Sequence, residues 1–304
     1  MERRHFMKQG LLAGGATVIG SSLKASNAPV EAAPFKFKHN YGIHEGMFRN
    51  TAGNNFIDQI KFASEQGFRS IEDNGMMSRS VDEQKKIGEA LAKYGMTMGV
   101  FVITSDSWHW KMSLTTGKQE FIDRMVKDCN EAVEVAKRVN ATHMTVVPGN
   151  YDRSLSFDMQ TANVIKALRI GAEILAKNNL VMVLEPLSDN PDLFLRHSDQ
   201  TYMICKAVNS PACKILFDMY HMQRNEGNII ANITKCWDEI GYFQIGDNPG
   251  RNEPGTGEMN YRNIFKHIYN KGYRGVMGME HGNAAAGKEG ELALIKAYQD
   301  ADSF

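Results

Sequence analysis

Four oxygen-bearing side chains each close a short apolar run, and their types and spacing point to a metal site. They end the runs Val-Met-Val-Leu, Lys-Ile-Leu-Phe, Gly-Tyr-Phe and Gly-Val-Met-Gly-Met, and they are Glu185, Asp218, Gln244 and Glu280. Three carboxylates and an amide oxygen at one point would repel one another unless a cation neutralised them. An all-oxygen ligand set suits Mn2+ or Mg2+ better than zinc. We therefore predict one divalent metal ion, Mn2+ or Mg2+, bound by these four residues.

The separations of 33, 26 and 36 residues between these side chains each match one β-strand followed by one α-helix. After residue 35, eight short β-rich runs alternate with eight amphipathic stretches of helical length. This alternation predicts a parallel sheet covered by helices, and about 34 residues per unit suits a single (β/α)8 TIM barrel of about 250 residues. The four side chains then end strands five to eight, at the face where such barrels place their chemistry. One acid at a strand end is more often a helix N-cap partner, but four on successive strands favour a shared site.

The segments that contain these residues resemble the hydroxypyruvate isomerase family. They are Leu184–Leu187, Phe217–Gln223, Phe243–Glu258 and Gly278–Glu280, and the run Pro-Gly-Arg-Asn-Glu-Pro-Gly-Thr-Gly-Glu is the most specific part. The family belongs to the xylose-isomerase-like group of sugar isomerases and epimerases. The resemblance implies a metal-dependent (β/α)8 barrel with Glu185, Asp218, Gln244 and Glu280 as metal ligands.

Related ketose 3-epimerases extend what the resemblance implies to the catalytic and substrate-binding residues. The pair Glu185 and Glu280 would transfer the proton, and His221 and Arg251 would hold substrate oxygens. A divalent ion that chelates adjacent carbonyl and hydroxyl oxygens acidifies the C–H between them and stabilises the enediolate. One glutamate can remove this proton and the other can return it, which gives epimerisation or aldose–ketose isomerisation. The sequence leaves open a role outside substrate binding for each of the last two residues. His221 would then be bonded to nearby backbone, and Arg251 would be a solvated loop charge.

Three further residues are candidates for substrate binding. His44 follows the first predicted strand and is expected at the mouth of the pocket. Glu72 ends the second strand, where it would contact the substrate or support a residue that does. Trp108 follows the third predicted strand, Met96–Ile103, and its ring could cover a sugar, although packing beneath a helix is equally compatible with the sequence.

Two departures from the family bear on the substrate. The loop after Gln244 reads Gly-Asp-Asn before Pro249, and Glu280 is followed by His281-Gly282 where the isomerases usually carry an aromatic residue. Intracellular hydroxypyruvate isomerases also lack an export signal, which this chain is expected to have. We therefore expect a free sugar, a keto-sugar or a glycoside rather than hydroxypyruvate itself.

The distribution of charge indicates an exported protein. The 304 residues contain 35 Lys and Arg against 35 Asp and Glu, so the chain lacks the positive excess typical of nucleic-acid or polybasic membrane binders. Residues 1–28 have a net charge of +3, with Arg3-Arg4 before a short Gly- and Ala-rich run. This order resembles a twin-arginine signal, with cleavage after Ala28 or near Ala33 and a periplasmic destination. The alternative is an ordinary disordered N-terminus.

Residues 35–304 are expected to form one domain, because no Pro- or Ser-rich linker interrupts the alternation. The four cysteines show no zinc spacing and are expected to be free and buried. Two other functions stay open: a lyase or hydratase that acts on oxidised glycosides with the same site, and a non-catalytic sugar-binding barrel. The expected partner is a small sugar or keto acid, with no nucleic acid, no membrane for the mature form, and a possible homodimer or homotetramer.

Overall fold

The structure is a computed structural model that describes residues 34–104 and 108–304. The predicted export signal, residues 1–28, and its alternative cleavage point lie outside the described residues. No helix within the described residues is long and apolar enough to cross a membrane.

Eight parallel strands form the sheet, in the order β3-β2-β1-β8-β7-β6-β5-β4. The strands are β1 (Asn40–Ile43), β2 (Ser70–Ile71), β3 (Thr97–Met98), β4 (His143–Val146), β5 (Val181–Leu184), β6 (Cys213–Asp218), β7 (Ile240–Gln244) and β8 (Val276–Gly278). A parallel bridge between Val102 and Thr145 joins the segment after β3 to β4. There the Ile103 amide donates to Thr145 O at 3.0 Å, and the Thr145 amide donates to Phe101 O at 2.8 Å. The predicted (β/α)8 barrel is confirmed.

Helices follow the strands and cover the outside of the barrel. They are α1 (Arg49–Ala52), α2 (Phe56–Glu65), α3 (Val81–Tyr94), α4 (Gln119–Val139), α5 (Phe157–Ala176), α6 (Ser198–Val208), α7 (Met219–Asn225), α8 (Ile229–Cys236), α9 (Tyr261–Asn270) and α10 (Gly287–Ala301). Local sequence sets their ends. Ser80 and Glu83 form a reciprocal capping box at the start of α3, and Gly95 ends this helix in the left-handed conformation.

Apolar side chains fill both sides of the sheet. The larger cluster lies between strands and helices, whereas Val100, Val183, Leu216 and Tyr242 pack as a separate buried group. Continuous apolar strands such as β5 supply both groups, as expected for strands covered on both faces. All four cysteines are free and buried, which confirms the prediction.

Candidate active site

The strand-end residues come together at the C-terminal mouth of the barrel. Glu185 follows β5, Asp218 and Gln244 end β6 and β7, and Glu280 lies two residues beyond β8. Asp218 and Gln244 are register partners. One ligand atom from each of Glu185, Asp218, Glu280 and His221 lies within 4.8 Å of the others. We call Glu185, Asp218 and Glu280 the carboxylate cluster.

The cluster has the properties of a site for a divalent cation. Glu185 Oε1 and Gln244 Oε1 are buried and lack a hydrogen-bond partner among the described residues. Burial, reinforced by the negative charges of Glu280 and Asp218, raises the pKa of Glu185 well above its usual value. Burial also raises the pKa values of Asp218 and Glu280, although the nearby Arg251 guanidinium opposes both shifts. Buried carboxylates that share a site with open lone pairs fit a cation with oxygen ligands.

Asp218 joins the cluster to the start of α7. Its Oδ1 accepts from the Tyr220 amide at 2.7 Å and the His221 amide at 3.3 Å, and so caps the helix. Its Oδ2 lies 3.6 Å from His221 Nε2. His221 thus lies on a helix rather than in a loop, because the side chain of Asp218 starts a helix at the next residue.

His221 is a buried neutral imidazole at the edge of the carboxylate cluster. Burial, together with the positive charge of Arg251, lowers the pKa of His221 to about 4. Its Nδ1 lies 3.2 Å from the Ser188 amide nitrogen and 2.8 Å from Ser188 Oγ. Its Nε2 lies 3.2 Å from Arg251 Nη2 and 3.9 Å from Glu185 Oε1. A bond from the Ser188 amide requires the proton on Nε2 and a bond from Arg251 requires it on Nδ1, so each neutral tautomer has a partner.

Arg251 reaches the cluster from the loop after β7. Its Nη2 donates to Glu280 Oε2 at 2.7 Å and lies 3.5 Å from Asp218 Oδ2. Its Nε donates to the main-chain oxygen of Glu280 at 3.1 Å, and its guanidinium carbon stands 4.9 Å from the centre of the Tyr220 ring. These contacts place the planar donor fork beside the carboxylates, where it can bind a substrate oxygen.

The loop that carries Arg251 is organised by the buried carboxylate of Asp247. This carboxylate accepts four backbone bonds, at 2.8–3.1 Å, from the amides of Asn248, Gly255, Gly257 and Met259. The Arg251 amide in turn donates to Asp247 O at 2.7 Å, and Arg251 has a φ of 51°. Asp247 thus fixes the backbone from which the arginine extends.

Two contacts tie Glu280 and Glu253 to neighbouring loops. Asn74 Nδ2, two residues beyond Glu72, donates to Glu280 Oε1 at 2.6 Å. Glu253 Oε2 accepts from the Ala284 amide at 2.9 Å, so this residue orders its loop. Sequence reasoning missed Asn74 and Ser188, although each lies within three residues of a predicted strand-end acid.

His44 and Glu72 contact one another beside Gln244. His44 Nε2 lies 3.0 Å from Glu72 Oε1, and Gln244 Nε2 donates to the same oxygen at 2.5 Å. Burial lowers the pKa of His44, but the hydrogen bond and charge of Glu72 outweigh it, so the pKa lies above its usual value. Glu72 is fully buried, so the structure places it behind Gln244, where it supports a strand-end residue.

Trp108 packs against helix α4. Its indole N–H donates to Asp128 Oδ2 at 2.7 Å, and its ring stacks on Phe121 with centroids 5.9 Å apart. Both partners belong to α4. These contacts match helix packing, one of the two alternatives that the sequence left open for Trp108.

Two cavities lie near these loops. One of about 410 Å³ is lined by His44, Asn50, His281 and Asn283 among others, which puts His44 at an opening beside β1 and β8. A larger one, of about 800 Å³, lies between residues 253–262 and α10, and none of the cluster residues lines it. The chemistry of the side chains marks the candidate site better than cavity size does.

The fold and the strand-end carboxylates define a xylose isomerase-like TIM barrel. Residues 60–298 match the family described in those words, and the chain belongs to it.

Sequence relatives narrow the comparison. Hydroxypyruvate isomerase of Escherichia coli is 29% identical over 74% of this chain and 87% of its own length. The 2-oxo-tetronate isomerase of Cupriavidus necator is 26% identical over 80% of this chain and 93% of its own. An AP endonuclease of family 2 from Brucella melitensis superposes with a TM-score of 0.73, covering 86% of this chain and 99% of that one. At 23% identity this last likeness shows the fold alone.

Proposed function

We propose that the protein is a divalent-metal-dependent isomerase or epimerase that moves a proton beside the carbonyl group of an α-hydroxycarbonyl sugar or keto acid. The observation that carries this proposal is the convergence of Glu185, Asp218, Glu280 and His221 within 4.8 Å. The relatives named hydroxypyruvate isomerase and 2-oxo-tetronate isomerase support the same class of reaction.

Glu185, Asp218, Gln244 and Glu280 would hold the ion, because all four offer oxygen and two of these oxygens are buried without a partner among the described residues. When bound, the ion would polarise the substrate carbonyl and so make the neighbouring C–H more acidic. His221 stays neutral and is available to a substrate oxygen, as is the donor fork of Arg251.

The two glutamates of the cluster approach from strands that are not neighbours, β5 and β8. Glu185 would serve both as a metal ligand and as a proton-transfer group, with one of its two carboxylate oxygens for each role. Glu280 is held by Asn74 and Arg251. One glutamate removes the proton from carbon, and the other, which starts protonated, delivers a proton to the opposite face or to the adjacent carbon. In the second case the hydroxyl proton also moves to the former carbonyl oxygen.

Proton exchange in D2O tests this proposal. The protein, loaded with Mn2+, would be incubated with hydroxypyruvate, other 2-oxo acids, ketoses, aldoses and 3-keto-glycosides, and deuterium at carbon would be read by NMR. We expect exchange with at least one compound, and a 10²- to 10⁴-fold slower rate for Glu185→Gln or Glu280→Gln, about the range for a lost general base. Glu120→Gln is the matched control, because this side chain is 65% exposed on α4.

Metal content gives a second readout. Asp218→Ala should lose the bound ion, measured by elemental analysis of the purified chain. Absence of exchange with every compound would move the assignment to a sugar-binding barrel. Exchange accompanied by loss of water or of a glycosidic group, with no isomer formed, would indicate a lyase. Unchanged metal content in Asp218→Ala would contradict the ligand set.

A further inference from the structure

The carboxylate of Glu72 is fully buried behind the candidate metal site, and donors surround it. Its Oε1 accepts from Gln244 Nε2 at 2.5 Å and lies 3.0 Å from His44 Nε2. Its Oε2 accepts from the Tyr242 hydroxyl at 2.8 Å. Gln244 and Tyr242 belong to β7 and reach Glu72 across the interior of the barrel, whereas His44 follows β1, the neighbour of β2.

The backbone leaves space for this arrangement. A Cβ on Gly278 would stand 1.6 Å from Glu72 Oε2, and Gly278 is the register partner of Gln244 on β8. A Cβ on Gly99 would meet the Tyr242 hydroxyl at 2.3 Å. Only glycine at positions 278 and 99 leaves room for the Glu72 carboxylate and the Tyr242 hydroxyl where they lie.

The bond from Gln244 determines which way its amide faces. A carboxylate accepts hydrogen bonds and cannot donate one, so the NH2 end of the amide must face Glu72. The carbonyl end is then directed away from Glu72, and Gln244 Oε1 is buried without a hydrogen-bond partner among the described residues. Gln244 is also the register partner of Asp218, a member of the carboxylate cluster.

We propose that Glu72 is a positioning residue that fixes the amide of Gln244 and so presents Oε1 to the cation held by the carboxylate cluster. This inference rests on the metal site of the proposed function. It also explains why position 244 carries an amide rather than a carboxylate: two carboxylates 2.5 Å apart would repel each other. Outer partners of metal ligands typically change metal affinity about 10- to 100-fold when they are replaced.

Isosteric exchanges test the inference. In Glu72→Gln the new amide can either accept from or donate to Gln244, so the direction of the bond is no longer imposed. In Gln244→Glu two carboxylates meet. The double variant swaps the two groups, so the amide now at position 72 can donate to the carboxylate now at position 244, whose other oxygen still faces the cluster. Tyr242→Phe is the control, because it removes a donor to Glu72 and leaves the bond from Gln244 in place.

The readout is the dissociation constant of Mn2+, obtained for the full chain by equilibrium dialysis with free Mn2+ measured by electron paramagnetic resonance. We expect each single variant to bind Mn2+ about 10- to 100-fold more weakly, and the double variant and Tyr242→Phe to bind within about threefold of the unmodified chain. Circular dichroism checks that each chain is folded. If a single variant fails to fold, recovery of both folding and Mn2+ binding in the double variant supports the inference.

Each contrary result overturns a distinct claim. Single variants that bind Mn2+ like the unmodified chain would refute the positioning role while leaving the metal site intact. A double variant whose loss equals the product of the single losses would show that the two side chains act separately and would also refute it. An unmodified chain that does not bind Mn2+ would overturn the metal site and this inference together.

Discussion

Replacement of Gly278 by alanine should disrupt the candidate site from a position that itself supplies no side chain to it. The new Cβ would stand 1.6 Å from Glu72 Oε2 and 2.5 Å from its Cδ, so the carboxylate has to move. Overpacking a core costs about 1–3 kcal/mol, and a lost bond to a charged group costs about 1.5–3 kcal/mol. If overpacking also breaks one hydrogen bond to Glu72, the two costs together lower the free energy of unfolding by about 4 kcal/mol.

This loss corresponds to a decrease in Tm of about 8–16 °C, because a barrel of this size shifts by about 2–4 °C per kcal/mol. The assay is calorimetry of the chain in excess chelator, so that bound metal does not contribute. Mn2+ affinity should fall as well, since the displaced Glu72 no longer fixes Gln244.

Gly75→Ala is the matched control. It lies at the same end of the barrel with φ of −87°, and the nearest atom to its added Cβ is Asp73 Oδ1 at 3.5 Å, an ordinary contact. The free energy of unfolding of the Gly75→Ala chain should change by no more than about 1 kcal/mol. A Gly278→Ala chain that melts within about 2 °C of the unmodified chain and binds Mn2+ equally well would refute the reasoning, because Glu72 would then have room to move without cost.

Three other outcomes are expected. Because the folded chain raises the pKa of Glu185, proton binding stabilises the metal-free fold below the ordinary value of 4.5, and this contribution is lost as pH rises towards the raised value. Mn2+ must displace this proton, so the increase in Tm on adding Mn2+ should grow with pH over this window, and Glu185→Gln should flatten the trend. Asp247→Ala should release Arg251 and lower kcat by about 10²-fold, measured by steady-state kinetics. The affinity for Mn2+, measured by titration, should change much less. Equal losses of kcat and Mn2+ affinity would contradict a role of Asp247 that is confined to the loop. Trp108→Phe should lower the free energy of unfolding by about 1–3 kcal/mol through the lost hydrogen bond to Asp128, and it should leave kcat/KM within about twofold. A large rise in KM would instead indicate that Trp108 contacts the substrate.

The architecture of the barrel was predictable because it depends on periodic features of the chain. Alternating apolar runs and amphipathic stretches give the number and order of the strands, and the residue that ends each run gives the mouth of the barrel. Element boundaries were less accurate. Strand three, predicted over Met96–Ile103, is limited to Thr97–Met98 with a bridge at Val102.

Contacts across the barrel could not be predicted from the same features. Glu72 and Gln244 are 172 residues apart, and Asn74 and Glu280 are 206 apart. Periodicity shows that each of these residues lies near the mouth, but it does not show which pairs of side chains meet there. That depends on the closure of the sheet and on space, such as the space that Gly278 leaves beside Glu72.

Trp108 shows how a local signal can leave two interpretations open. An aromatic residue after a strand is compatible with a sugar-binding surface and with helix packing, and the sequence alone gives them equal weight. The structure supplies a buried acceptor, Asp128, and a stacking partner, Phe121, on α4. The deciding partners lie on the following helix, 13 and 20 residues further along the chain.

The most distinctive segment of the sequence, residues 249–258, acts mainly by fixing a backbone path rather than by supplying reactive side chains. Of its side chains, Arg251 alone contacts the carboxylate cluster among the described residues. A Cβ on Gly257 would meet Asn248 O at 2.0 Å, and the amides of Gly255 and Gly257 both donate to Asp247. The glycines and Asp247 thus determine one backbone path, which sets the guanidinium 2.7 Å from Glu280. A substitution in this segment should act on the reaction through the position of Arg251, even where the altered residue lies outside the site.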